Sequence, residues 1–235
     1  MKPINLVKSI IIQGGIQMNH QEILDILNFR HACKEFDSSK KISKSDFDVI
    51  LKAGQLSPSS MGIEPWKFLV IENEALRNEL APLSWGGKVQ IPSCSHLIIL
   101  LSRNASDLKH NSAYIDYLLR DVKQMPNETI EGFKGIMKSI EDTRFNNDER
   151  AILNYSCLQT YLAAANMMTV AAMENIDSCP IGGYDQQAVE NLLVSRGLLD
   201  KDHFYLTLMI AFGYRKNEAK PKSRQPLESI VEWVK

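Results

Sequence analysis

The stretch Phe29-Arg30-His31-Ala32-Cys33-Lys34-Glu35-Phe36-Asp37 sets three potentially cationic side chains within five residues, at the end of a helix-forming pattern. That pattern runs over residues 20–28, where Ile23, Leu24, Ile26 and Leu27 fall at mixed helical spacings. Arginine presents a planar fork of donors matched to a phosphate, and lysine a compact charge that can sit beside a developing anion. Taken alone, the same residues also read as a solvated charged face.

Downstream, Ser43-Lys44-Ser45-Asp46 opens a second helical pattern through Phe47, Ile50 and Leu51. Residues 67–71, 96–101 and 204–212 are short apolar runs rich in strand formers and are expected to be buried strands. Residues 114–122 are expected to form a helix. Residues 148–174 carry helical periodicity through Ile152, Tyr155, Leu158, Leu162 and Ala165 and are expected to form the central helix. Within it, Ala163-Ala164-Ala165 and Ala171-Ala172 allow a second backbone to come close, in the core or in a helix pair at a dimer contact. Residues 123–147 are polar, contain Pro126, Gly132 and Gly135, and read as a helical excursion, either a lid or a plain surface insertion. No repeat or linker divides the chain, so residues 18–235 are expected to be one domain bearing this excursion. The extended tail after Pro221 holds Leu227, Ile230, Val231, Trp233 and Val234, whose burial would be favourable against this subunit or a neighbour.

Three further clusters carry possible chemistry. Lys222-Ser223-Arg224 lies between Pro221 and Pro226 and presents two cations and a hydroxyl, a phosphate clasp or a solvated tail. Ser57-Pro58-Ser59-Ser60-Met61-Gly62-Ile63-Glu64-Pro65-Trp66 is a turn-rich link whose hydroxyls and N–H groups can face a ligand or merely close a turn. Ser178-Cys179-Pro180-Ile181-Gly182-Gly183-Tyr184-Asp185 has glycines that let backbone approach a flat ring; in isolation it is a loop ending a helix.

The bulk numbers exclude several classes. Of 235 residues, 44% are apolar and 23% charged, an ordinary globular balance, and 27 basic against 28 acidic residues leave a net charge of -1. No global field therefore favours nucleic acid or an anionic membrane. Four cysteines, Cys33, Cys94, Cys157 and Cys179, form no CxxC pair, so reduced thiols in a cytoplasm are expected, with neither a zinc site nor a disulfide framework. No apolar stretch reaches the roughly 20 residues of a membrane-spanning helix. Residues 1–17 lack a secretion signal and read as a frayed extension or a misassigned start, because Gly14-Gly15 followed by Met18 resembles a translated ribosome-binding site.

In order and spacing, FRHACKEFD, SPSSxxxxPWKF, Ser95-His96, CPIGGYD and PKSRxP together resemble the FMN-dependent nitroreductase family, from about Met18 to the end. The resemblance implies an α+β fold: three layers, α/β/α, around a mostly antiparallel sheet, with a long central helix and a C-terminal segment reaching a partner subunit. It implies FMN, held with Arg30, His31, the backbone near Ala32, Lys222 and Arg224 around the ribityl phosphate. Lys34, the residue weighted most for catalysis, and Gln90 would sit at the pyrimidine edge of the ring, and Pro180, Ile181, Gly182 and Gly183 along it. Pro58, Ser59, Ser60 and Gly62 would come from the partner, so that the pocket exists only in a homodimer. Many relatives carry Asn where this chain has Gly62, a hydroxyl in place of Ala32, and an acidic residue in place of Gly182.

The implied activity is ping-pong transfer of two electrons from NADH or NADPH to nitroaromatics, quinones or similar flat acceptors. The protein orients both partners while the cofactor carries the hard step. Phe133 and Phe145 in the excursion are candidates for stacking on substrate. Rival readings are specialised flavin chemistry on the same fold, a flavin-binding sensor or storage protein without useful turnover, and a module binding some other phosphate ligand.

Overall fold

The computed structural model describes residues 18–235; the proposed N-terminal extension, 1–17, lies outside them. Helix α1 (His20–Phe29) begins at a reciprocal cap, in which the Asn19 side chain accepts from the Glu22 N–H and the Glu22 carboxylate accepts from the Asn19 N–H, each at 2.9 Å. It is followed by α2 (Lys44–Gln55), β1 (Trp66–Ile71), α3 (Glu74–Leu80), α4 (Gln90–Ser93), β2 (His96–Arg103), α5 (Ala105–Leu108) and α6 (Ala113–Tyr117). The excursion helix α7 (Asn127–Thr143), the long α8 (Glu149–Met173), β3 (Asp177–Ile181), α9 (Gln186–Ser195) and β4 (Phe204–Gly213) complete the order.

The strands form one sheet in the order β1-β2-β4-β3, and every neighbouring pair is antiparallel. Alternation along β2 explains its unbroken apolar run, since successive side chains leave opposite faces of a strand. Leu97, Ile99 and Leu101 enter a core with Leu76 and Leu80 of α3, Ile91 of α4 and Val189 and Leu193 of α9. Ile98 and Leu100 enter the opposite core with Phe47 and Ile50 of α2 and Ala164, Met167 and Ala171 of α8. The result is the expected three layers. Ala164 and Ala171 of α8 serve this core, whereas Ala165 is exposed; Gly54 of α2 packs so tightly that a Cβ there would lie 2.9 Å from Met167 Sδ. On the outer face of α8, Leu158, Tyr161 and Leu162 remain exposed.

Two elements depart from the sequence reading. Of residues 178–185, read as a loop, the first four belong to strand β3 (Asp177–Ile181) at the sheet edge, the position where Pro180 costs no ladder hydrogen bond to a second neighbour. The helix expected over 114–122 changes its winding at Leu118: α6 passes into one π turn, Leu118–Val122, which admits an extra residue and redirects the chain beyond it.

Candidate functional site

Beyond the end of β3, two loops interlock. The Gly86 N–H donates to the Gly183 carbonyl at 2.8 Å and the Asp185 N–H to the Leu83 carbonyl at 2.9 Å. A Cβ on Gly86 would lie 3.2 Å from Gly183 Cα, a close approach of two backbones, and one on Gly183 would lie 2.6 Å from Nε1 of the exposed Trp85 side chain. Gly182, between them and the strand, faces open space. Gln90 opens α4 just after this clamp and is buried. The structure therefore brings the 83–87 loop against residues 181–185, with Gly182 exposed and Gln90 buried at the start of α4.

The cationic stretch runs beside the same strand. Ala32 bridges to Ser178 in parallel, and the Cys33 N–H donates to the Ser178 carbonyl at 3.0 Å. Burial raises the Cys179 thiol pKa, while the positive charges of Lys34 and Arg30 pull it down. Lys222 comes from the other end of the chain, where its Nζ donates to the Leu27 carbonyl. Burial, then the charges of Arg30 and Arg224, lower the Lys222 pKa. Arg30, Lys222 and Arg224 thus converge, and among the described residues neither they nor Lys34 pair with a carboxylate. Like charges gathered without a counter-ion repel one another, and a bound anion relieves that repulsion.

His31 has a different environment from its neighbours. Its Nδ1 lies 3.4 Å from Asp177 Oδ1 and 3.3 Å from the Phe29 carbonyl, and burial, followed by the Arg215 charge, lowers its pKa. Asp177 is 3% exposed and grips Arg215 at 2.7 Å and 3.0 Å, with the Arg215 N–H at 2.8 Å, while the guanidinium lies over the Phe29 ring. This pair fixes the end of α1 to the sheet, and Asp177 neutralises Arg215. Sequence reading missed it, since 38 residues separate the partners and no local pattern links them. Burial and Asp177 raise the Cys33 thiol pKa to about 11, so Cys33 packs rather than reacts.

The 58–62 turn is seated elsewhere. Gln159 of α8 accepts from the Ser60 N–H at 2.8 Å, Asn166 donates to Ser57 Oγ at 3.0 Å, and Ser59 Oγ accepts from the Glu64 N–H at 2.9 Å. Met61 and Gly62 both adopt left-handed backbone, φ +58° and +61°. Within one chain, no hydrogen bond joins this turn to the rim at Gly182 or to the cations among the described residues. The excursion is pinned down rather than loose: buried Glu141 of α7 accepts from the His110 N–H and lies 2.9 Å from His110 Nδ1, and Lys134 pairs with Asp116 at 2.6 Å. Phe133 and Phe145, the candidates for stacking on substrate, are half-buried and pack against this chain's own cluster. Phe145 tilts against Tyr155 over a cavity of about 60 Å³ lined also by Met61, Met137 and Ile140. Ile136 is the large apolar side chain that α7 exposes.

No helix among the described residues is long and apolar enough to cross a membrane, and no cluster there has the makings of a metal site. The Nitroreductase family model matches residues 27–214. "Putative NAD(P)H nitroreductase YfkO" of Bacillus subtilis (strain 168) is 44% identical over 215 residues, covering 91% of this chain and 97% of that protein. "Putative NAD(P)H nitroreductase SSP0379" of Staphylococcus saprophyticus is 45% identical over 218 residues, 91% and 97% of the two chains. A crystal structure from Exiguobacterium sibiricum 255-15, described as a "putative nitroreductase in complex with FMN", superposes with a TM-score of 0.71 at 24% identity, covering 90% of this chain and 97% of that one. With its sheet order, long helix and family match in agreement, the chain belongs to the nitroreductase family.

Proposed function

We propose that this chain is a cytoplasmic, homodimeric FMN-dependent oxidoreductase that passes two electrons from NADH or NADPH to nitroaromatics, quinones or similar flat acceptors by a ping-pong scheme. The observation that carries the reading is the convergence of Arg30, Lys222 and Arg224 from distant parts of the chain, with no carboxylate among the described residues to neutralise them. A phosphate monoester supplies the missing charge, and arginine forks bind it with directed hydrogen bonds. The names of the relatives support NAD(P)H as donor.

Bound FMN supplies reversible two-electron exchange between donor and acceptor. Arg30, Lys222 and Arg224 hold its phosphate, and Ala32 offers backbone alone. Lys34 puts a positive charge where negative charge develops at the ring edge, the form of electrostatic help that needs no proton transfer by the protein. Gln90 orients the same edge. The 180–183 segment lies along the ring, and the open face at Gly182 leaves room for the second flat molecule. Pro58, Ser59, Ser60 and Gly62 complete the site from the partner, a role compatible with the partial exposure of that turn where it is held on α8. Exposed Leu158 and Tyr161 on α8, with Leu227, Ile230 and Trp233 in the tail, provide apolar surface for the subunit contact.

Titrating apoprotein with FMN and with riboflavin tests the reading. FMN should restore a flavin absorbance spectrum and bind at least about tenfold tighter than riboflavin, since each charge-assisted contact is worth about 1.5–3 kcal/mol. Equal affinity for the two would rule out the phosphate site.

A further inference from the structure

We propose that Lys123 is a specificity residue of the acceptor pocket and selects flat acceptors that carry a carboxylate. The inference rests on the assignment of the 58–62 turn to the partner's site. Gly62 has no side chain, yet the volume in front of it is filled: a Cβ there would lie 2.7 Å from Lys123 Nζ and 3.5 Å from its Cε. An ammonium thus stands where any other residue at 62 would put its side chain.

The backbone delivers it there by two unusual features. The π turn Leu118–Val122 closes with the Lys123 N–H donating to the Leu118 carbonyl at 2.9 Å, and Gln124 then reverses the chain at φ +50°. On the opposing side, Met61 and Gly62 are consecutive left-handed residues, and the lysine tip lies beside Gly62. Such π turns cluster at functional sites.

Charge points the same way. Nearby Arg120 and Lys134 are both engaged by Asp116, whereas Lys123 has no carboxylate or hydrogen-bond partner among the described residues, and it is exposed. Phosphate binding does not call on it, because the phosphate cations lie at α1 and the tail. The 58–62 turn, with Lys123 over it, faces the partner's ring, so the ammonium meets whatever lies on that ring.

The test uses holoenzyme with NADPH as donor and two acceptors of one shape, 4-nitrobenzoate and 4-nitrobenzyl alcohol. The ratio of their kcat/KM values should fall about fivefold in Lys123→Met, the upper end of what an exposed ion pair gives, and should be retained in Lys123→Arg. Gly62→Asn, which tolerates the left-handed backbone, should lower the same ratio by displacing the ammonium. The wild-type preference should weaken as salt is raised. An unchanged ratio in Lys123→Met overturns the proposal while leaving the flavoenzyme reading intact. Wild-type protein that binds no FMN, or binds it without accepting electrons from either nicotinamide, fails at the earlier step and overturns both.

Discussion

Lys222 Nζ donates to the backbone carbonyl of Leu27, 195 residues earlier in the chain. The last segment is thereby tied to the final turn of α1, directly beside Arg30. Closing so long a loop costs chain entropy, and what it gathers is three mutually repelling cations. Arg224→Ala should therefore weaken FMN binding by about ten- to a hundredfold while leaving the melting temperature of the apoprotein unchanged or slightly higher. Fluorescence titration and calorimetry of the same sample separate the two effects, and a lower apoprotein melting temperature would assign Arg224 to the fold instead.

Adjacent glycines should respond in opposite ways. Gly182→Ala places a methyl in open space and should leave thermal stability within about 0.5 kcal/mol while reducing FMN affinity. Gly183→Ala brings a Cβ to 2.6 Å from Nε1 of the exposed Trp85 side chain and 3.2 Å from Gly86 Cα, and should displace the indole, with a shift in Trp85 emission even without flavin and a destabilisation of about 1 kcal/mol. Chemical denaturation of both apoproteins checks the contrast.

Asp177→Asn breaks the grip on Arg215 that anchors the end of α1. Removing one member of a buried pair leaves the other uncompensated, and a loss of about 3 kcal/mol is expected. The neutral isostere should also change the titration of His31, whose Nδ1 faces the same carboxylate. Denaturant unfolding at neutral pH, with NMR titration of the imidazole, measures both.

At the far end of the sheet, His203 Nδ1 lies 2.9 Å from Asp107 Oδ1, and that hydrogen bond raises the histidine pKa above its ordinary value of about 6.5. The folded state binds this proton more tightly than the unfolded chain, so the stabilisation is fully present below about pH 6.5 and is lost as pH rises through the folded pKa. His203→Gln should abolish that pH-dependent component. Wild-type and variant unfolding curves compared on both sides of pH 6.5 give the result.

Much of the fold was legible in local patterns. The runs at 67–71, 96–101 and 204–212 lie within β1, β2 and β4, and the periodicity over 148–174 marks α8 almost to the residue, because a strand buried on both faces and a long helix write their periods into the chain. β3 was hidden because Pro180 and the glycines after it read as a turn, and only its place at the sheet edge makes the proline acceptable. Arg30, Lys222 and Arg224 were recognisable as cations, whereas their meeting depends on the return of the tail across α1. The half-buried packing of Phe133 and Phe145 has no local signal, since the face that α7 turns to the body is set by the Glu141–His110 and Lys134–Asp116 contacts.

Whether flavin held by residues from both chain ends exchanges electrons between nicotinamide and a flat acceptor is decided by anaerobic stopped-flow of the holoenzyme. Mixing with NADH or NADPH should bleach the flavin band in one turnover, and a second mix with a quinone should restore it. Flavin that binds yet stays oxidised with both nicotinamides would contradict the proposed electron transfer.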